Sequence, residues 1–292
     1  MKVRFWPILV FCGCLLYLNP LIAKAGSDSS ATREIQPLYS RYAQTVTRWT
    51  LRGGARFFKD AEMQEAVELD GTCLDVELTV PLSERFQMRL YYPFDTDCEA
   101  RSTRYGQVEI DVEGDGGILD FPSLIIDYQF KQAASADDYN LAAYLGVGIL
   151  FEELEATGQH SGYWDIYNHQ GAVALFGLKA DKQLDNGWHF IGNLGGRYYW
   201  DSDDLHPKNE DHDKFWLLDC SAAILYAPSC AWAFPGLEVV FQGDLDGYNS
   251  LMVVPEIIIP LGPYIDISSG VGLGIGDDGP SLESRLQLIL RY

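Results

Sequence analysis

Beyond its first 25 residues the chain has no run of 18 consecutive apolar residues, and so no segment that could cross a membrane as a helix. Positive charge is scarce as well: 21 Lys and Arg stand against 42 Asp and Glu, a formal net charge of −21. That balance excludes nucleic acid as a partner, because phosphate recognition needs a basic surface. The chain has only six cysteines, none at a CxxC spacing, so no metal site is expected. There is no P-loop. The glycines at 270, 272, 274 and 276 do not form a dinucleotide fingerprint, since no helix follows them. No cofactor is implied.

What is present is glycine, at 28 residues, and aromatic side chains, at 13 %. This suits a protein of many strands, although composition alone equally suits a soluble β-sandwich or a secreted glycan binder. The first 25 residues read as a secretory signal peptide: Lys2 and Arg4, an apolar stretch from Phe5 to Leu18, and the small-x-small site Ala23-Lys24-Ala25. Without them the chain keeps 18 bases against 42 acids, a net charge of −24. It also keeps four cysteines, Cys73, Cys98, Cys220 and Cys230. An even number in an exported chain points to disulfides. Cys73 with Cys98 and Cys220 with Cys230 are nearest neighbours, and the other two connectivities stay open.

Residues 26–44 are polar and aperiodic, and read as a periplasmic lead-in. From Thr45 to the end a two-residue period takes over, as in Thr72–Val80 and Arg85–Leu90. Apolar residues on one face and charges on the other make a half-buried strand. Twelve strands are expected, at 45–58, 72–81, 85–94, 118–131, 139–151, 166–180, 187–200, 214–227, 236–244, 250–260, 263–275 and 282–292. The segment 105–113 alternates like a strand but is assigned to an outer loop, with a strand extension above the membrane as its alternative. Ten or fourteen strands are the fallback counts.

The last nine residues, Ser284–Tyr292, read SRLQLILRY, with Leu286, Leu288, Leu290 and the final Tyr292 on one face. Here the sequence resembles bacterial outer-membrane β-barrel proteins, whose last strand ends on an aromatic residue. The resemblance implies an all-β fold, a closed antiparallel transmembrane barrel over 45–292 reached by export through the periplasm. It also implies that the assembly machinery reads the strand ending at Tyr292, that the barrel meets lipopolysaccharide, and that small polar solutes pass through a porin-like channel. Connections after odd strands should then be long and outward, and those after even strands short. Trp and Tyr near the strand ends, such as Trp49, Trp188, Tyr198 and Trp216, suit the headgroup zone.

Alternation also assigns the inward charges. Arg48, Arg52 and Arg56 share one face of the first strand, Arg85 and Arg89 fall on the third, Arg197 on the seventh, and Arg285 and Arg291 on the last. The inward acids are Asp75, Glu77, Asp127, Asp219, Glu238, Glu256 and Asp266. The arginines of strands one, three and twelve make a basic wall. Asp219, Glu238, Glu256 and Asp266 make an acidic wall, and the class resemblance implies a transverse field between them that would select solutes. The competing expectation is a non-conducting barrel plugged by its own charges, acting as an anchor or through its loops. Asp201, Asp203 and Asp204 could hold a cation in the fourth outer loop, or bridge to lipopolysaccharide through one. An outer-membrane lipid hydrolase is the weakest reading. Its only candidates are His160, Ser161 and His169, and they lack the spacing that would set a hydroxyl beside an oriented imidazole. No enzyme is expected.

Overall fold

The computed structural model describes residues 35–64, 67–102, 108–115, 120–135, 138–151, 153–157, 170–200, 214–228, 231–245, 247–276 and 278–292. The expected signal peptide lies outside the described residues. So do Asp201, Asp203, Asp204, His160, Ser161, His169 and Cys230.

The described residues contain fourteen strands: β1 (Thr50–Gln64), β2 (Val67–Pro81), β3 (Phe86–Ser102), β4 (Val108–Asp115), β5 (Ser123–Lys131), β6 (Asn140–Phe151), β7 (Glu153–Thr157), β8 (Gln170–Gln183), β9 (Trp188–Trp200), β10 (Lys214–Tyr226), β11 (Phe234–Gly243), β12 (Asn249–Pro260), β13 (Ile265–Ile275) and β14 (Leu282–Arg291). All but β4 and β7 form a closed antiparallel ring of twelve. The ring closes where β1 pairs with β14, Thr50 opposite Arg291 and Phe57 opposite Ser284, and β2 with β3. A closed ring leaves no edge, the condition for satisfying every backbone group of a strand in lipid.

The expected count of twelve therefore holds for the wall, and the alternating segment near 105–113 has its explanation. β3 runs for 17 residues. Its first part, Phe86–Tyr91, pairs with β5, and its last, Thr96–Ser102, pairs with β4, which carries β7 on its far side. β4 and β7 thus extend the sheet beyond the ring. The outer loop expected at 59–71 is also mostly strand, since β1 reaches Gln64 and β2 begins at Val67.

The side chains of β2 account for that difference. From Asp75 to Thr79 the inward residues are polar (Asp75, Glu77, Thr79) and the outward ones apolar (Leu74, Val76, Leu78). From Glu68 to Cys73 the pattern inverts: Leu69 and Cys73 are buried inside, while Glu68 is exposed and Asp70 and Thr72 face out beside it. β3 follows suit, with Tyr92 exposed below the switch and Asp97 and Glu99 exposed above it, around a buried Cys98. The outer face changes from apolar to charged where lipid gives way to water. A strand 9–11 residues long already spans the bilayer, so the excess length of β1–β3 stands outside it.

The outer face of the ring is apolar. Leu145, Ile149, Leu178, Leu194, Ile224, Leu237, Leu273 and Leu286 are all large exposed hydrophobics. Aromatic pairs flank them at two levels. Phe86 stacks on Tyr128 at 4.7 Å and Trp188 lies 4.8 Å from Tyr226 near the end that holds Thr50 and Arg291, here the terminal end. Tyr198 lies 4.4 Å from Trp216 at the opposite end. Trp188 and Tyr198 are ten residues apart on β9, about 33 Å along the strand and about 25 Å along the membrane normal at a tilt of roughly 40°, which matches the lipid-facing band of such barrels.

Candidate functional site

The lumen is where the polar face of every strand converges, and three layers fill it. The first, at the terminal end, is made by residues 35–46, which precede β1. Residues up to 44 are expected in a lead-in ahead of the barrel. Residues 35–44 instead lie inside the ring, because a backbone without its own strand pairing finds its acceptors there.

This strap passes from strand to strand. Leu38 N donates to Glu256 Oε2 on β12 at 3.0 Å, Tyr39 N to Glu238 Oε1 on β11 at 3.0 Å, and Ser40 N to Glu238 Oε2 at 2.7 Å. Ser40 Oγ meets Ser221 Oγ on β10 at 3.1 Å. On β9, Asn193 accepts from Arg41 N and donates to Arg41 O, both at 2.7 Å, and Tyr42 Oη lies 2.8 Å from His189 Nδ1. Burial holds the Tyr42 phenol well above its ordinary pKa, so it remains protonated. Ala43 N and Gln44 N share Asp181 Oδ1 on β8, at 2.7 and 3.0 Å. Thr45 N reaches Gln129 Oε1 on β5 and Val46 N reaches Gln87 Oε1 on β3, at 3.1 and 2.8 Å. Eight backbone amides are thus satisfied by side chains of six strands. Asn140 on β6 joins the collar, accepting from Gln129 Nε2 at 3.0 Å and donating to Asp181 Oδ2 at 2.8 Å.

Arg41 fixes the shape of the strap. Its Nη1 donates to the carbonyls of Pro37, Leu38, Tyr39 and Ser40 at 3.0–3.4 Å, and its Nη2 lies 3.6 Å from Glu77. Leu38 packs with Met252 and Val254, and Ile35 with Ile191, Leu225, Phe234 and Ile258. The glycines of β13 make room for this packing: a Cβ on Gly270 would sit 2.5 Å from Leu38 Cδ1, and one on Gly272 would sit 2.2 Å from Met252 Sδ.

The second layer is charge. Arg52 pairs with Glu77 at 2.7 Å, Arg285 with Asp75 at 2.7 Å, Arg291 with Asp266 at 2.6 Å and Arg197 with Asp219 at 2.6 Å. Asp127 takes both Arg89, at 2.8 Å, and Lys179, at 2.6 Å. Arg56 Nη2 meets Glu283 Oε2 at 2.8 Å, Arg56 Nη1 meets Asp120 at 3.0 Å, and Tyr39 Oη donates to Glu283. Pairing between strands is therefore lateral, between neighbours or one strand apart, while Arg56 also reaches Asp120 in the segment that leads into β5. Arg285 reaches Asp75 across β1, where Gly54 stands opposite both Gln287 and Asp75 and leaves the space open.

The expected basic wall facing an acidic wall is corrected by this arrangement. Asp219 and Asp266 each hold an adjacent arginine, and Glu238 and Glu256 hold the strap backbone. Arg48 and Arg85 do not line the lumen. Arg48 precedes β1 and lies 5.3 Å from the ring centre of Tyr264, and Arg85 is exposed in the turn between β2 and β3. No disulfide joins the described cysteines. Cys73 stands opposite Thr96 and Cys98 opposite Gly71, two positions apart on the inner faces of β2 and β3, and Cys220 lies midway along β10.

The third layer closes the far end with apolar side chains. Val173, Leu175, Tyr199, Phe215 and Leu217 point inward from β8, β9 and β10, and Phe121 and Tyr248 pack on them from the segments that lead into β5 and β12. β5 and β12 lie on opposite sides of the ring, so the cluster bridges its interior.

Several of these residues escape the sequence reading: Lys179, Asp181, Asn193, Glu283, and the amides of Gln87, Gln129 and Asn140. Each has inward parity, and each collar residue is a hydrogen-bond acceptor in the terminal half of its strand. That recurrence was the available signal.

No protein-family model matches the chain, and no curated protein matches it. Solved structures do. The chain is similar to the translocator domain of the autotransporter NalP from Neisseria meningitidis, at 12 % identity over 85 % of this chain and 90 % of that one, with a TM-score of 0.56. It is similar to an outer-membrane channel from Pseudomonas putida, at 10 % identity over 89 % of this chain and the whole of that one, with a TM-score of 0.59. At these identities the likeness is one of fold. The closed ring of twelve, its apolar exterior and these likenesses make the fold that of a bacterial outer-membrane β-barrel.

Proposed function

We propose that this outer-membrane barrel is closed at rest and does not act as an open porin. One observation carries the reading: lumen-facing charges that an aqueous pore would hydrate are sealed away, with Arg52 2 % exposed and Glu238 and Asp266 at 0 %. Charge at membrane depth is stable only if it faces water or a partner. Here strap, ion pairs and the apolar cluster take the place of water. The barrel then serves as an anchor that holds the β3–β4–β7 extension outside the lipid. Its surroundings would be lipopolysaccharide, with β14 as the strand read during assembly. It has no catalytic role on this reading.

A second reading is a channel opened by withdrawal of the strap. It is favoured by the way the strap is held, through side-chain acceptors and not through strand pairing, and one of the similar folds belongs to a channel. Planar-bilayer recording of the full protein and of a form lacking residues 35–46 separates the two. The closed-barrel reading expects silence from the full protein and from the shortened form. Discrete steps from the shortened form alone would establish the strap as a gate. Steps from the full protein would overturn the proposal.

A further inference from the structure

Between the strap and the wall lies a small cavity of about 20 Å3 whose lining contains two arginines and no carboxylate. Arg41 and Arg89 face it, with Gln87, Thr79, Ser40 and Gln44 among its other sides. The charge behind the lining is unbalanced. Arg41, Arg52 and Arg89 all converge on Glu77, at 3.6, 2.7 and 4.0 Å, and Arg89 and Lys179 share Asp127. Four cations thus meet two anions. The other carboxylates beside the strap, Asp181, Glu238 and Glu256, are taken up by the amides of Leu38, Tyr39, Ser40, Ala43 and Gln44 and not by these cations. Buried guanidinium N–H groups are also left over. Arg41 Nε, Arg52 Nε and Arg52 Nη1 have no hydrogen-bond acceptor among the described residues. A buried donor without an acceptor costs about 1–3 kcal/mol, more when charged, and surplus buried charge costs more again. An anion in the cavity would sit against Arg41 and Arg89, the two arginines that line it, and offer an acceptor to the first.

We propose that this cavity binds a single chloride-sized monovalent anion, held by the guanidinium groups of Arg41 and Arg89. Its volume gives room for about one water-sized sphere, which suits one monatomic ion. The site goes beyond the reading of the barrel as closed, since an anion can hold the strap to the wall whether or not the strap ever withdraws. It would bind the strap through Arg41 and β3 through Arg89, completing a contact that Glu77 leaves short of neutral.

The test is an anomalous diffraction measurement on crystals of the full protein soaked in sodium bromide, paired with thermal unfolding in sodium chloride and in sodium gluconate at equal ionic strength. The expected result is a bromide peak in the cavity beside Arg41 and Arg89, and a higher melting temperature in chloride than in gluconate. In Thr79→Asp, which places a carboxylate at the cavity wall, the peak and the chloride dependence should both vanish while the fold persists. No bromide peak in the wild-type crystal, or equal melting in the two salts, overturns the proposal even if the variant does not fold. A bromide peak that survives in a folded Thr79→Asp protein overturns it too.

Discussion

Gly54 carries more of the lumen than its lack of a side chain suggests. Arg285 and Asp75 sit on strands that do not touch, and their 2.7 Å contact exists because β1 offers no side chain between them. A Cβ at Gly54 would lie 2.6 Å from Asp75 Oδ1. Gly54→Val should therefore break the pair and leave two buried charges uncompensated, at a cost of roughly 3–5 kcal/mol, read by urea unfolding in lipid vesicles. Arg85→Ala serves as the control. Arg85 is exposed in a turn, so its loss should stay within about 0.5 kcal/mol. At this scale the sequence is half legible. Parity along a strand assigns Arg52, Asp75 and Arg285 to the inner face, since a side chain two residues on returns to the same side. The partner does not follow from parity. It depends on register and on which neighbour lacks a side chain, and so the opposed walls dissolve into lateral pairs. Arg48 and Arg85 fail for another reason: parity has no meaning where the strand has not yet begun.

The wall strands are the elements most open to sequence reading, because each repeats one pattern over many residues. Where the pattern inverts, as in β2 near Thr72, a strand looks like a loop, and the lengths of β1, β2 and β3 are missed. The inversion makes a depth prediction. Leu145→Arg, at an outward position of β6 that is 67 % exposed, should cost about 2–4 kcal/mol, and Glu68→Arg, above the switch, about 0–1 kcal/mol. Folding in vesicles of fixed thickness gives both values, and equal costs would place the lipid boundary elsewhere. The strap is the element the sequence hides. It has no period, and its partners are single side chains scattered over six strands between Gln87 and Glu256. Asp181→Ala removes the acceptor of two strap amides, each charge-assisted bond being worth about 1.5–3 kcal/mol. Trypsin cleavage after Arg41 should accelerate on the order of tenfold or more in that variant. An unchanged rate would show that the apolar contacts of Ile35 and Leu38 hold the strap without it.

For the whole molecule, closure of the ring is foreshadowed by the terminal strand, and the twelve-strand wall by the two-residue period. What fills the ring is a property of the sum. Each inward charge looks like pore lining when taken strand by strand, and only the assembled barrel shows acids taken by neighbouring arginines or by strap amides, with Phe121 and Tyr248 drawn over the far end. Of the three layers that fill the lumen, the strap is the one whose seating its own backbone amides report. Residue-resolved amide hydrogen exchange of the full protein in lipid tests this most directly. The amides of Leu38–Ser40 and Ala43–Val46 should exchange as slowly as those in the middle of β9 or β10, because their acceptors are buried. Exchange at the rate of an unstructured peptide across those residues would contradict the account.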